Sequence, residues 1–557
     1  MIKGLPRPPL PNEPVSLDIE LFKMNGKRLH RPTGMFACLS IAYSADEVYQ
    51  VYDLADLKKS MEILDGAQWV FHNSLFDLAH LRRWVSIRRR QVWDTLLIET
   101  DIYGGYFDEF GLDDLARRWL HRKLSKETRD LFGGTETMTP EMEQYAADDA
   151  VATIQIKDKQ ADYLKQNVDD LRCYWEIDEP AVWAAMDMKP IRVDVDGWLL
   201  LAEEHTQTAE RIKNELGFNP GSPVQTKKAL GALLGRAPND TRAETLKGIR
   251  EGDYSDKSKG LSHAITEYRT YKKAASSYGK KWIEDNVEEG DLVYSGWRIT
   301  GAETGRMSSR NPNLQNIPSR KMPKFRSLFK PLKGEVLIVA DVAAQEPRIA
   351  AWWSKDEVLL YTLALDEDVY APVMGAAGIT RDDAKTVFLG LLYDLSEHGL
   401  AARLHCTKNE AKALMQKVLG KLRGIAIWKH KAKSQAYQRE YALTPTGRKV
   451  WLNLYNPQWE RNAVNAPIQG GAADMTKKAL GWLHEQPEFN VAMVVHDEIV
   501  ASCPIDISAA YATLVRDAWI EAGRVVIPGV PVRADVKMGE HWGIKQSKAE
   551  DYEGDEE

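Results

Sequence analysis

The sequence predicts a multi-domain α/β chain, and three observations predict it. A length of 557 residues exceeds what one hydrophobic core organises, so more than one folding unit is expected. Residues from about 14 to 155 alternate short apolar runs with amphipathic stretches, which is an α/β pattern. A mostly helical region follows to about 290, and from Ser295 onward strands and helices mix again. The expected plan is two domains, the second with its own subdomains.

The elements can be justified in order. Val15 to Leu21 reads as a strand, and so does Gln68 to His72. Pro140 to Lys157 reads as a helix opened by Thr139-Pro140. Asn219-Pro220-Gly221-Ser222-Pro223 is a turn that starts another. Glu335 to Asp341 and Val491 to Cys503 are apolar, β-branched runs that read as buried strands. No internal repeat is present.

Composition narrows the class. Hydrophobic content of 44% and charged content of 28% exclude a disordered or fibrous chain. No apolar run would span a bilayer, and Met1 to Pro14 is Pro-rich rather than signal-like, so a cytoplasmic chain without a membrane partner is expected (host cytoplasm if viral). Cys38, Cys173, Cys406 and Cys503 are scattered with no pairing or metal-ligand spacing and read as reduced. The net charge of −7 argues mildly against nucleic-acid binding, where basic surface supplies much of the affinity. The charge is uneven, however. Residues 546–557 form an acidic tail expected to be disordered, whereas Arg403 to Arg439 is strongly basic, so local residues must decide.

Three spaced signals stand in the N-terminal part. Asp18-Ile19-Glu20 lies on a strand, where side chains two apart share a face, so two carboxylates point the same way. Phe71 to Leu78 feeds a strand through a turn into a helix whose first turn holds Asp77. Tyr145 and Asp149 are four apart on a helix and share a face, while Asp148 looks elsewhere. Each signal alone is bland, a solvated strand end or helix face. Converged carboxylates repel unless a hard cation such as Mg²⁺ or Mn²⁺ joins them. In this order the three motifs resemble the DEDDy class of 3′→5′ exonucleases, with an RNase H-like fold over residues 1–165. The resemblance implies that Asp18, Glu20, Asp77 and Asp149 hold two metals and that Tyr145 orients the attacking water.

The C-terminal part carries a second set. Val336 to Asp341 is an apolar strand ending in an acid, and His496-Asp497-Glu498 sits between two β-branched runs, as acids at a hairpin tip. Such acids are costly unless exposed, paired or metal-bound. Arg381, Lys385 and Leu389 share one helical face, with Tyr393 further round; cations without an intervening acid suit a triphosphate, though a solvated helix reads the same. Further signals are Thr304-Gly305-Arg306-Met307-Ser308-Ser309, Pro312-Asn313-Leu314-Gln315-Asn316-Ile317-Pro318, and Arg461, Asn465 and Gln469-Gly470 in Arg-x-x-x-Asn-x-Pro-x-Gln-Gly. Glu267-Tyr268-Arg269 and Lys273-x-x-Ser276-x-Tyr278 precede them. Together these resemble a family A DNA polymerase, of bacterial repair or bacteriophage type.

That resemblance implies a right-hand polymerase over residues 166–545, with a thumb at about 195–290, a palm at about 291–355 and 440–545, and fingers at about 356–439. It implies two Mg²⁺ or Mn²⁺ ions per active site. In the polymerase site Asp341 and Asp497 would hold them, with the backbone near Val342. Arg381 and Lys385 would bind triphosphate, Tyr393 would lie by the templating base, and Glu346 would exclude a 2′-hydroxyl. His496 and Glu498 would support the primer terminus; Arg306, Gln315, Asn316, Arg461, Asn465 and Gln469 would contact primer–template DNA. The activity implied is DNA synthesis from dNTPs with proofreading. A chain starting at the exonuclease suits a bacteriophage replicative enzyme without a 5′-nuclease domain. The short thumb implies modest processivity unless a separate processivity factor, helicase or primase assists.

Departures from the family pattern lie around the nucleotide pocket. Motif A usually reads Asp-Tyr-Ser-Gln-Ile-Glu-Leu-Arg; here it is Asp341-Val342-Ala343-Ala344-Gln345-Glu346-Pro347-Arg348. Motif B normally has an aromatic residue at Leu389 and glycine at Asp394. Three competing readings are a single-subunit RNA polymerase, disfavoured by Glu346 and the exonuclease motifs, an exonuclease with a dead polymerase half, and a non-enzymatic scaffold.

Overall fold

Strand Pro14–Phe22 shows how sequence period becomes architecture. Val15, Leu17, Ile19 and Leu21 are at most 2% exposed, while Asp18 and Glu20 between them stay partly open. In this computed structural model the described residues are all but 23–33, 126, 134, 167–171, 320, 321, 323, 405 and 544–557. The expected acidic tail therefore lies outside the described residues.

Pro14–Phe22 is inside a six-stranded sheet. The order is Ile2–Lys3, Val48–Val51, Met35–Ala42, Pro14–Phe22, Gln68–Phe71, Trp93–Asp94. Pairing is antiparallel among the three strands from Pro14 to Val51 and parallel from Pro14–Phe22 to Gln68–Phe71 and Trp93–Asp94. Helix Pro140–Leu164 begins where Thr139 accepts the Met142 N–H and Pro140 takes the first turn; it runs seven residues past the expected Lys157. Its face of Ala147, Ala150, Val151 and Ile154 packs into the same core as the sheet.

The helical middle consists of Val195–Leu216, Pro223–Leu234, Ala243–Glu251 and Asp256–Ser277. The predicted turn at Asn219 is real: Asn219 Oδ1 accepts the Gly221 N–H at 2.9 Å and Ser222 caps the next helix. Arg269 donates to Pro220 O at 3.0 Å, so the last long helix is tied to that turn.

The C-terminal sheet is antiparallel, ordered Val491–Val495, Glu498–Pro504, Glu335–Val342, Ala534–Gly539. The run Val491 to Cys503, read as apolar throughout, folds as two strands with His496 and Asp497 at the tip and His496 at a φ of 60°. Helix Ser508–Val526 packs on strands Glu335–Val342 and Ala534–Gly539, and the long helix Trp459–His484 packs on it in turn. Helices Ala371–Ala377, Arg381–Leu392, Lys408–Lys421 and Arg423–Arg439 form the block between the two parts of this sheet domain.

Candidate active sites

The N-terminal carboxylates converge. Asp77 is 4% exposed and accepts the Ile19 N–H at 3.1 Å, which docks its helix against the strand carrying Asp18 and Glu20. Its carboxyl is pushed well above the ordinary range by burial and by the charge of Asp18. The Tyr145 hydroxyl bonds Asp149, and burial together with the charges of Asp149, Glu20 and Asp18 holds its phenol protonated. All five expected residues therefore meet, and the groups acting on Asp77 and Tyr145 are acids and backbone amides, with no cation among them. A donor set of four carboxylates beside a hydroxyl fits a hard divalent ion. Asp148 lies apart, where it accepts from Gln144 at 3.1 Å. A cavity of about 410 Å³ runs along the outer side of helix Pro140–Leu164, lined by Tyr145, Asp149, Gln144, Asp148 and Leu124.

One positioning group escaped the sequence reading. Asp94 is 1% exposed and accepts from Asn73 N (3.1 Å), Ser74 N and Ser74 Oγ (both 2.6 Å). It thus pins the start of helix Ser74–Leu81, which carries Asp77. Asp94 ends the strand next to Gln68–Phe71 and follows an apolar pair outside every motif, so no spacing marks it.

On the second sheet Asp341 stands opposite Glu498 on one side and Asp535 on the other. Its side chain opens onto the cleft, yet protein atoms crowd it. That burial, with the charges of Asp497 and Glu498, pushes its pKa up to about 7. The Val342 N–H donates to Asp497 O at 3.3 Å and locks the two acidic motifs together. Glu498 is held by the Trp542 indole N–H and by Arg326 at 3.5 Å, and Arg326 lies 4.1 Å over the Trp542 ring. Asp535, Arg326 and Trp542 were not anticipated, because they come from other strands and loops. A cavity of about 470 Å³ is lined by Arg306, Glu346, Thr476, Val494, His496 and Asp497, among others.

Glu346 lies 3.6 Å from Arg306 and hydrogen-bonds the Tyr393 hydroxyl. Burial raises its pKa, and the bond from Tyr393 and the charges of Arg306 and Lys385 oppose that rise. The charge of Lys385 therefore reaches this pocket. Leu389 is partly buried against the core. Arg461, Asn465 and Gln469 recur every fourth residue of helix Trp459–His484, and Asn465 Oδ1 is buried with no hydrogen-bond partner. Gly470 makes room for Thr444 and the Thr304 loop: a Cβ there would overlap Thr444 Cγ2 and sit 3.2 Å from Thr304 O. Asn316 is exposed, and its carbonyl accepts from Tyr278 at 2.6 Å.

Three side chains in these motifs have partners that spacing alone does not show. The Gln315 side-chain amide donates to Met307 O and Val494 O and accepts from Ser309 N, while the residue stays partly exposed and lines the cavity beside Arg306 and His496. The helix face of Arg381 and Lys385 carries no intervening acid of its own, but Asp368, from the segment before the helix, ion-pairs Arg381, and a phosphate would have to displace it. Likewise Gln345, read as an odd polar residue, is buried and donates to Ala472 O at 3.3 Å, joining the Asp341 strand's helix to Trp459–His484.

A third acidic group is different in kind. Asp101, Cys173 and Asp178 lie within reach of one another. Arg448 bonds Asp101, Asp178 and Asp474, and Lys477 bonds Asp178; all five charged side chains are at most 2% exposed. Two cations already compensate these acids, so the group is a buried ion network and not a cation site.

Residues 200–544 match DNA polymerase family A and residues 11–165 match the 3′-5′ exonuclease family. The chain belongs to DNA polymerase family A. It is 28% identical over 501 residues to DNA polymerase I of Pseudomonas aeruginosa, covering 82% of this chain and 54% of that protein. For DNA polymerase I of Bacillus subtilis the figures are 26% over 529 residues, 87% and 58%. For that of Aquifex aeolicus they are 25% over 547 residues, 89% and 91%. The chain thus spans little more than half the length of the first two. These relatives are bacterial and lend no support to a bacteriophage origin. The POL domain of Pol1 from M. smegmatis, solved with DNA primer-template and dNTP, shares the fold with a TM-score of 0.80 at 24% identity, covering 95% of each chain. No helix among the described residues is long and apolar enough to cross a membrane.

Proposed function

We propose that this family A chain extends a DNA primer on a template from dNTPs and removes mismatched 3′ ends with its N-terminal domain. The observation that carries the reading is the pair of separate carboxylate clusters on two different sheets, one with a tyrosine, the other with a gate. Asp18, Glu20, Asp77 and Asp149 fit one pair of Mg²⁺ or Mn²⁺ ions by their donor chemistry, and Asp341 and Asp497, with the Val342 backbone, fit another. Bound there, divalent ions would activate the attacking oxygen and stabilise the leaving one.

The chain's own groups do the rest. Tyr145 holds its proton and directs a water at the phosphodiester. Lys385 and Arg381, once Asp368 yields, bind the triphosphate and offset its charge. Glu346, held by Arg306 and Tyr393, blocks a 2′-hydroxyl and so selects deoxynucleotides. Arg306, Gln315, Asn316, Arg461, Asn465 and Gln469 line the primer–template, while His496 and Glu498, the latter fixed by Arg326 and Trp542, support the primer terminus. The thumb, palm and fingers follow the ranges given above, and residues 1–165 are the exonuclease. A separate processivity factor, helicase or primase would act as a further partner in replication.

A 5′-labelled primer–template incubated with Mg²⁺ tests the reading. The primer lengthens when dNTPs are present and shortens when they are withheld. Ribonucleotide incorporation at the deoxynucleotide rate, or no change of length in either condition, contradicts it.

A further inference from the structure

Asp394 follows Tyr393 at the end of helix Arg381–Leu392 and has a φ of 53°. Its N–H donates to Leu391 O at 3.3 Å and that of Leu395 to Gly390 O at 2.8 Å. This is the helix ending that glycine ordinarily makes, because a Cβ is strained at positive φ. The side chain shows what stands against that strain. Its two oxygens lie 2.8 Å from Lys429 Nζ and 2.7 Å from Lys433 Nζ, both on helix Arg423–Arg439. Lys433 also reaches Glu460 at 3.0 Å, on the helix that carries Arg461, Asn465 and Gln469. Lys429 donates in addition to the carbonyl of Leu391, in the last turn of the helix that Asp394 ends. The Asp394 and Lys429 side chains are 30% and 13% exposed, so water screens this pair less than a surface one.

We propose that Asp394 is a positioning residue for base selection, fixing the turn that carries Tyr393 through Lys429, Lys433 and Glu460. Tyr393 hydrogen-bonds Glu346, which lines the pocket, and on the polymerase reading its ring is the wall beside the templating base. A correctly paired nucleotide fits without moving that wall, whereas a mispaired one must push it. A wall on a free glycine turn yields; a wall on a tethered turn does not, so the tether penalises only the wrong partner. The inference rests on the polymerase reading.

The test is single-nucleotide incorporation, correct against incorrect, in an Asp18→Ala background so that digestion does not erase errors. Asp394→Gly suits the backbone and removes the tether; Asp394→Asn keeps the shape and removes the charge. Both should lower the correct-to-incorrect ratio of kcat/KM about fivefold or more while leaving correct incorporation near its starting rate. Lys433→Met should act in the same direction, and adding it to Asp394→Gly should change nothing further, because one tether cannot be cut twice. An unchanged ratio in both Asp394 variants, or correct and incorrect rates falling together, overturns the inference. Correct incorporation by the Asp18→Ala parent reports on the polymerase reading itself, separately from the ratio.

Discussion

Asp341 ends a buried strand with acids on both neighbouring strands, so its charge is uncomfortable until something compensates it. Its pKa of about 7 lies above that of a free carboxyl. A carboxyl with a raised folded-state value binds its proton more tightly folded than unfolded. The metal-free chain therefore loses stability as the pH climbs from about 4 to about 7, and the loss is complete above that window. The side chain is open to the cleft, which screens the effect to about 1 kcal/mol. Asp341→Asn should accordingly raise the melting temperature of the chelator-treated protein more at pH 8 than at pH 5. Equal shifts at the two values, read by calorimetry, contradict the crowding. Asp18 and Glu20 are equally local: a strand's period of two puts them on one face, and the structure keeps them there. Asp94, Asp535, Arg326 and Trp542 were not legible, because each acts on a motif from a strand or loop remote in sequence.

Elements carried the legible part further than side chains did. The face of helix Arg381–Leu392 could be read from spacing, and the charge of Lys385 does reach the pocket where Glu346 sits. The partners of that face could not be read: Asp368 for Arg381, Lys429 and Lys433 for Asp394. Gln315 shows the same limit, since its amide also bonds the Met307 and Val494 carbonyls, partners that no spacing shows. Leu389 stands one turn before Tyr393, and on the polymerase reading this position faces the sugar of the incoming nucleotide. Leu389→Phe and Leu389→Tyr should change the ratio of dideoxy- to deoxynucleotide incorporation several-fold, on the order of 1–2 kcal/mol of differential binding. Unchanged ratios in both variants would show that this face does not touch the sugar.

At the scale of the molecule the two halves are joined by charge as well as by apolar packing. Arg448 follows the hairpin residue Gly447, Asp101 lies in the exonuclease half, Asp178 in the connecting segment, and Asp474 and Lys477 in the long helix. Five buried charges from four elements cannot be found by spacing, which is why the sequence suggested only two domains and not how they dock. Removing one partner strands the others: Arg448→Met should cost about 3–5 kcal/mol and split a single thermal transition into two. One transition at the original temperature would contradict the network's role.

Two independent carboxylate sites should have opposite effects on one primer. A labelled primer–template with Mg²⁺, incubated with two variants in the presence and absence of dNTPs, separates them. Asp18→Ala should stop shortening and keep extension; Asp497→Ala should stop extension and keep shortening. Shortening that survives Asp18→Ala undiminished, or extension that survives Asp497→Ala, would contradict the account.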